Sequence, residues 1–364
     1  MNSEQHGSSF APSYAIPPGA TLHEMLEHLG LSQAELAERT GRPKKTINEI
    51  VKGKAAITPD TALQFERVLG PPASFWNSLE QNYRSSKARI DERERLASHV
   101  SWIDKFPTKA LMEQGWLSPS RDRIGLLQNL LQFFGVASPE AWTEVWRSPQ
   151  QAVSFRQAAS RQADIGAVVA WLRRGEVQGR AMACEPYDEI RFKAALKKIK
   201  ALTAADPNKA CAEAKVLCAS AGVAFVLVPE LPKLRICGAT RWLSAERALV
   251  QLSLFYKRDD HFWFSFFHEA GHILLHGKKE IFVEQERGSK EREEQEANAF
   301  AANYLIPATE YDEFVSCSDF STSAIKRFAS AVAVSASIVV GRLQHDKCIG
   351  FHEHNELHTR LDWA

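Results

Sequence analysis

The apolar positions between residues 21 and 83 predict a compact domain of short helices. In the first segment, apolar residues recur at i, i+3, i+4 and i+7, the periodicity of one helix face. Residues that favour helix starts or ends separate the segments: Gly30, Ser32, Gly41, Pro43, Gly53 and Thr58. Ser32 and Glu35 also have the spacing of a capping box, which predicts a second helix that begins after Ser32.

The pattern changes beyond this domain. Residues 84–95 are dense in charges of both signs, which predicts an exposed helix or linker. Many large apolar residues follow, separated by glycines and prolines, up to about Leu202. We therefore predict a linker and helical middle region over residues 84–202, whose tryptophans and phenylalanines form plain hydrophobic core.

The last part of the chain mixes strand and helix patterns. Strands are predicted at residues 222–228, 235–243 and 247–254, and later helices at 323–327 and 335–343. We expect a multidomain, mainly α protein whose C-terminal domain, residues 203–350, is α+β with a small sheet. The polar, Pro/Ser-rich residues 1–20 are expected to form a disordered arm, and residues 351–364 a solvated tail.

Composition limits the function classes. The net charge of +1 over 364 residues gives no global attraction to nucleic acid, so any such binding must be local. The six cysteines contain no CxxC pair and are interpreted as reduced, buried thiols of a cytoplasmic protein. No apolar run approaches membrane-spanning length, so no membrane partner is expected.

One stretch carries the chemistry: residues 266–276 read FFHEAGHILLH. His268 and His272 are four residues apart, so on a helix both imidazoles lie on one face and can bind one cation. Zinc suits two histidines and one carboxylate with a fourth position open for water, and Glu269 is placed to act as the base. Two unrelated surface histidines are the alternative, but the apolar flanks favour a buried helix with a metal.

A third ligand is expected from the segment EREEQEANAFAANYLIP, residues 291–307. The loop before it is long enough to turn this helix antiparallel to the first. Glu296 is the preferred ligand because it opens the alanine-rich, close-packing part, and Glu293 is the competitor. Glu291 and Glu294 are interpreted as solvated charge.

These two segments resemble the ImmA/IrrE family of zinc metallopeptidases, with Ile306 where methionine is more usual. The resemblance implies a zincin-like fold, Zn²⁺ as cofactor, and the base role for Glu269. It implies that His268, His272 and Glu296 bind zinc. His276, one turn further, is not a ligand in that family and is interpreted as a supporting or packing residue.

The N-terminal helices have the helix-turn-helix arrangement, in which two short helices flank a glycine turn and the second is basic. Residues 31–62 resemble the Xre/Cro family, and most closely its HigA-type antitoxin regulators. The resemblance implies base contacts by Lys44, Lys45 and Asn48, with Glu49 as a further candidate. It implies phosphate contacts by Gln33, Thr46, Lys52 and Lys54, and dimers on two half-sites of operator DNA.

Together these features predict a DNA-binding regulator that carries a zinc endopeptidase domain. The resemblance to the ImmA/IrrE family implies that its substrate is a repressor or another regulatory protein. We expect an extended peptide to be held as an added strand at the sheet edge. The alternative is an antitoxin-like repressor whose zinc domain is a sensor, or binds a toxin partner, with little proteolysis. Glu269→Gln separates the two hypotheses, because it should keep zinc and remove cleavage.

Overall fold

The computed structural model describes residues 14–146, 164–232, 234, 236–276 and 289–361. The chain divides into two compact units, residues 1–101 and 102–364. Each unit has its own hydrophobic core. The architecture is mainly helical, with one small sheet in the second unit, as the sequence predicted.

The first unit is helical throughout its regular elements. The helices are α1 Pro18–Leu29, α2 Gln33–Thr40, α3 Lys44–Val51, α4 Pro59–Leu69 and α5 Ala73–Ala97. The predicted capping box is present: Glu35 N donates to Ser32 Oγ at 3.1 Å, and Ser32 N donates to Glu35 Oε2 at 2.8 Å. Gly30 and Gly41 end α1 and α2 with φ of 64° and 65°, the left-handed conformation that favours glycine.

Two boundaries of this unit differ from the expectation. Helix α1 begins at Pro18, inside the predicted arm, and residues 1–13 of that arm lie outside the described residues. Gly19 packs so closely that a Cβ there would lie 2.2 Å from the carbonyl oxygen of Ile50. Helix α5 continues without a break past residue 83, because residues 73–97 contain neither glycine nor proline to end it.

The second unit combines helices with three strands. Its regular elements are α6 Thr108–Glu113, α7 Arg123–Phe134, α8 Pro139–Trp146, α9 Ile165–Ala181, α10 Glu189–Leu202, α11 Pro207–Ala219, β1 Val223–Leu227, β2 Gly238–Ser244, β3 Arg247–Leu252, α12 Asp259–Leu275, α13 Ser289–Leu305, α14 Ala308–Ser316, α15 Thr322–Ala331 and α16 Ala336–His345. Short 3₁₀ helices lie at Val100–Lys105, around the boundary between the units, and at Asn355–Leu357. Ser335 caps α16, because its hydroxyl accepts from Ile338 N.

The sheet has the order β1-β3-β2, with β1 parallel and β2 antiparallel to β3. Side chains alternate between its two faces. On one face, Thr240 Oγ1 donates to the carbonyl of Glu269 in α12 at 3.1 Å. On the other face, Gln251 Nε2 donates to the carbonyl of Trp171 in α9 at 2.7 Å. The sheet therefore lies between α12 and α9.

The predicted domain boundary at residue 203 does not coincide with a boundary in the packing. Helix α9 covers one face of the sheet, and Trp171 Nε1 donates to the carbonyl of Val228 at 3.0 Å. From α10, Phe192 and Leu196 belong to the same buried cluster as the strands. The sequence pattern did not reveal this association because it depends on contacts between residues far apart in the chain.

The segment expected to be a solvated tail is exposed at most of residues 351–360, but its described end is attached to the fold. Leu361 is 4% exposed, and its N–H donates to the carbonyl of Lys257 at 3.0 Å. Thr359 N donates to the carboxylate of Asp259, and Asp259 N donates back to the carbonyl of Thr359, both at 3.0 Å. The segment is held because the buried carboxylate at the start of α12 needs donors, and the chain end supplies one of them.

All six cysteines are free thiols, as the sequence predicted. Cys218 is fully buried, whereas Cys317 is exposed, so the expectation of buried thiols fails at Cys317. Burial raises the pKa of the Cys211 thiol to about 11, which keeps it protonated at neutral pH.

Within the described residues, no single helix is long and apolar enough to cross a membrane. Helices α15 and α16 together have the length and apolar composition of a membrane span, but they are bent by 110° relative to each other.

Asp259→Ala is expected to lower the free energy of unfolding by about 2–4 kcal/mol, because the hydrogen bonds of a buried carboxylate are lost. Its donors are Ser335 Oγ, Ser337 Oγ and Thr359 N. Urea unfolding followed by tryptophan fluorescence measures the change. Asp312→Ala, at an exposed site in α14, is the control and should change stability by under about 0.5 kcal/mol. Equal effects of the two substitutions would contradict this role of Asp259.

Candidate metal centre and nucleic-acid interface

The HExxH segment, His268 to His272, lies within α12. The buried apolar residues of α12 determine which side of the helix faces the core. Phe266 and Ile273 are buried in the core, and Phe266 packs edge-to-face on Phe225 of β1 with 5.0 Å between ring centroids. His268 and His272 lie one turn apart, with side chains 15% and 20% exposed. Both imidazoles are therefore largely enclosed but still reachable from solvent.

Helix α13 approaches this part of α12 through small residues. A Cβ at Gly271 would lie 3.4 Å from the Cα of Ala297 and 3.0 Å from a ring carbon of Phe300. Ala297 and Ala301 are fully buried. This close contact brings the polar side chains of α13 within reach of both histidines.

Three potential ligand side chains meet beside α12. His268 Nε2 and His272 Nε2 are 3.1 Å apart. Glu294 Oε2 lies 3.3 Å from His268 Nε2, and Glu294 Oε1 lies 3.7 Å from His272 Nε2. Ligand atoms of a tetrahedral zinc ion with bonds of about 2.0–2.1 Å are roughly 3.3 Å apart. The spacing and the types of these donors therefore fit zinc.

The carboxylate in this group is Glu294, which corrects the expectation of Glu296. Glu294 and Asn298 are four residues apart and so share one face of α13. Glu296 lies on another face, where its carboxylate meets His276 at 3.2 Å. Glu293, the predicted competitor, is also outside the group of close donors. The side chain of Glu291 lies outside the described residues.

The two histidines have different hydrogen-bond partners behind them. His268 Nδ1 lies 2.9 Å from Asn298 Oδ1, an oxygen that can only accept, so Nδ1 carries the proton and Nε2 keeps its lone pair. His272 Nδ1 lies 2.9 Å from His276 Nδ1. Burial and the neighbouring His268 lower the pKa of His272 to about 4, so its imidazole is neutral at pH 7. Burial opposes protonation of His268 as well, but Glu294 raises its pKa overall.

Glu269 lies beside the group in a closed environment. It is 7% exposed, and burial raises the pKa of its carboxyl to about 7 although the adjacent His268 opposes the rise. A Cβ at Gly238 of β2 would lie 2.7 Å from Glu269 Oε1 and 2.9 Å from its Cγ. Glycine at position 238 therefore leaves the space that the carboxylate occupies.

Strand β2 passes this carboxylate along the edge of the sheet. It pairs with β3 on one side, and within the described residues no strand pairs with its other side. Two residues of β2 lie against Glu269. Gly238 lies beside the Glu269 side chain, and the Thr240 hydroxyl donates to the main-chain carbonyl of Glu269. The edge strand therefore contacts the residue that directly follows His268 in the chain.

Asp259, Asp260 and His358 form a second group of close potential donors. There Arg258 donates to both carboxylate oxygens of Asp260, at 3.0 and 2.7 Å. A guanidinium thus supplies the positive charge in this group, and we assign it the structural role of holding the C-terminal segment.

The predicted DNA-contacting residues lie around α2 and α3 of the first unit. Lys44, Lys45, Lys52 and Lys54 are exposed, whereas Gln33, Thr46 and Asn48 are partly buried. Asn48 Nδ2 donates to Gln33 Oε1 at 3.2 Å, which links the start of α2 to α3. Lys45 lies 3.9 Å from the carboxylate of Glu49 on an exposed face. Ile47 and Ile50 are buried and fix the rotation of α3.

Comparison with protein families finds a match in each unit. The helix-turn-helix family matches residues 22–75. The peptidase M78 family, described as an IrrE N-terminal-like domain, matches residues 255–344, which include α12 and α13.

Similar proteins match over short stretches. Virulence-associated protein A from Dichelobacter nodosus is 39% identical over 72 residues, which are 19% of this chain and 71% of that protein. Virulence-associated protein I from the same organism is 38% identical over 80 residues, 22% of this chain and 74% of that protein. An uncharacterized HTH-type transcriptional regulator, YddM, from Escherichia coli (strain K12) is 30% identical over 71 residues, 20% of this chain and 76% of that protein.

Among solved structures, the chain is similar to an addiction module antidote protein of the HigA family from Coxiella burnetii. The identity is 29%, the match covers 23% of this chain and 92% of that one, and the TM-score is 0.22. The two family matches and the curated relatives lead to one assignment. The chain belongs to the helix-turn-helix family of DNA-binding regulators through its N-terminal unit, and its C-terminal unit carries a peptidase domain of the M78, IrrE N-terminal-like family.

Proposed function

We propose that this chain is a DNA-binding transcriptional regulator whose C-terminal domain is a zinc-dependent endopeptidase acting on a regulatory protein such as a repressor. One observation carries the catalytic half of the proposal. The donor atoms of His268, His272 and Glu294 converge. Glu269, which directly follows His268, has a buried carboxylate beside β2, and no strand of the described residues pairs with the outer side of β2.

His268, His272 and Glu294 would hold the zinc ion, since two imidazoles and one carboxylate are the ligand set of many catalytic zinc sites. A bound zinc supplies Lewis acidity and lowers the pKa of a water molecule at its open position. Asn298 fixes the His268 ring by accepting a hydrogen bond from its Nδ1–H group, so that Nε2 presents a lone pair.

Glu269 acts as the general base. It follows His268 directly in the chain, and Gly238 leaves its carboxylate free to sit beside the donor group. Glu269 takes a proton from the attacking water and then gives it to the leaving amine. The water oxygen adds to the carbonyl carbon, and the bond from that carbon to the amine nitrogen then breaks, which gives a carboxylic acid and an amine.

The substrate is held along β2. An extended polypeptide can pair with the free side of an edge strand through main-chain hydrogen bonds. Because β2 runs past Glu269, such a peptide would pass the site in extended form. This geometry favours a flexible segment of a protein over a compact small molecule, and a linker or loop of a repressor provides one.

The N-terminal unit binds operator DNA, with α3 in the major groove, as a homodimer on two half-sites. Lys44, Lys45 and Asn48 contact base edges, whereas Gln33, Thr46, Lys52 and Lys54 contact phosphates. The local cluster of lysines supplies the attraction to DNA that the overall charge of +1 does not. This function assigns the protein to the cytoplasm, where operator DNA lies.

Glu294→Ala is expected to abolish the binding of one zinc per chain, whereas Glu296→Ala keeps that stoichiometry, because only Glu294 meets both imidazoles. Metal analysis of purified protein mixed with one equivalent of zinc at micromolar concentration, followed by gel filtration, measures the difference. The reverse result, with zinc lost only in Glu296→Ala, would support the assignment made from sequence.

Glu269→Gln is expected to retain stoichiometric zinc and to lose cleavage by a factor of about 10² or more, because the base is removed without a change of ligands. Mass spectrometry of new protein N-termini in cells that express either protein identifies the substrates. Glu313→Gln, at an exposed position of α14, is the matched control and should cleave normally.

A different result in the same experiment favours the second function. If no cleavage product depends on Glu269, while operator affinity changes when zinc is added or removed, the C-terminal domain is a sensor or partner-binding module. The zinc ligands would be the same in that case, but the base would have no function.

The double substitution Lys44→Ala with Asn48→Ala is expected to weaken operator binding at least about tenfold and to relax sequence preference, since each base contact contributes about 1–3 kcal/mol. Fluorescence anisotropy with operator and random duplexes at fixed salt measures both effects. Lys87→Ala removes one positive charge from α5 and is the control for a general charge effect. Equal affinity of the unmutated protein for both duplexes would refute specific recognition.

A further inference from the structure

A chain of contacts extends from the proposed metal ligand His272 into α13. His272 Nδ1 lies 2.9 Å from His276 Nδ1, and His276 Nε2 lies 3.2 Å from Glu296 Oε2. The other oxygen of Glu296 accepts from Arg292 Nε at 2.7 Å. The side chain of His276 is 12% exposed, so its two ring nitrogens are directed to these partners more than to solvent.

The direction of the hydrogen bonds follows from the terminal carboxylate. An ionised carboxylate only accepts, so His276 Nε2 carries a proton and donates it to Glu296. In a neutral imidazole the other nitrogen, Nδ1, is then an acceptor. His272 Nδ1 must therefore donate to His276, which leaves a lone pair on His272 Nε2, the atom that faces His268 and Glu294.

We propose that Glu296 and His276 are positioning residues that hold the ring of His272 in the tautomer and orientation required for zinc binding. This inference rests on the proposed zinc site. His276 is not itself a ligand, because both of its nitrogens are engaged away from the three donors. Asn298 positions the His268 ring in the same way, through one hydrogen bond to its side-chain amide oxygen. Each imidazole is thus fixed by its own partner from α13, one directly and one through a second histidine.

The test is zinc affinity of the metal-free full-length protein, measured by competition with a chromophoric chelator. Glu296→Gln and His276→Ala should each bind one zinc per chain with a Kd about 10- to 100-fold higher, the usual effect of removing a partner of a metal ligand. Glu313→Gln should bind zinc like the unmutated protein. Substitution of zinc by Co²⁺ adds a spectroscopic readout, because a rotated His272 changes the visible absorption of the bound cobalt.

A conservative substitution distinguishes positioning from simple packing. In His276→Gln the side-chain amide can accept from His272 and donate to Glu296, so this variant should recover most of the affinity and the cobalt spectrum that His276→Ala loses. If His276→Ala fails to fold, as judged by circular dichroism, Glu296→Gln still gives a result because its site is 40% exposed.

The outcomes separate this inference from the proposed function. If the unmutated protein binds no zinc, or Glu294→Ala binds it normally, the zinc site itself is wrong and the inference fails with it. If zinc binds as proposed, but Glu296→Gln and His276→Ala keep an unchanged Kd and cobalt spectrum, only the positioning role is overturned.

Discussion

The candidate centre depends on the close packing of α12 on α13. Helix axes in proteins are commonly about 8–10 Å apart, and the side chains at the contact set the distance. Here the contact consists of Gly271 on one helix and the buried Ala297 and Ala301 on the other. Larger residues would separate the backbones and withdraw the carboxylate of Glu294 from the imidazoles. The small residues therefore determine whether three donors converge, although none of them is polar.

The rest of the second unit holds α12 in the orientation that this contact requires. Its apolar face packs on the sheet, with Phe266 against Phe225, and the edge strand is tied to it through Thr240. Its first turn is held by the C-terminal segment, which hydrogen-bonds to Asp259. Polar contacts therefore hold the start of α12, and burial of its apolar face holds its length. Near the two histidines, α12 packs against α13. A metal centre with two ligands on one helix needs such support, because a rotation of that helix would move both imidazoles together.

Features encoded within a few residues could be predicted from the sequence. The Ser32–Glu35 capping box and the HExxH segment each involve residues within about one helical turn, so their spacing alone determines the geometry. The third carboxylate could not be chosen in this way, because residues 291–296 contain several glutamates and the choice depends on which face of α13 meets α12. The four-residue spacing from Glu294 to Asn298, in line with the buried Ala301, was the available signal. The association of α9 with the sheet and of Leu361 with Lys257 joins residues far apart in the chain, which no local pattern encodes.

The polar residues of α13 show how one short segment serves several roles. In the sequence EQEAN, residues 294–298, the first glutamate meets the two imidazoles, the second meets His276, and the asparagine meets His268. Residues 294 and 298 share a face, whereas residue 296 lies about 200° around the helix from residue 294, since each residue advances about 100°. The two glutamates are chemically identical, so only helical phase and the position of His276 just beyond the end of α12 distinguish the proposed ligand from the proposed supporting residue. For this reason, removal of one glutamate should eliminate the metal, and removal of the other should leave the metal bound but less well held.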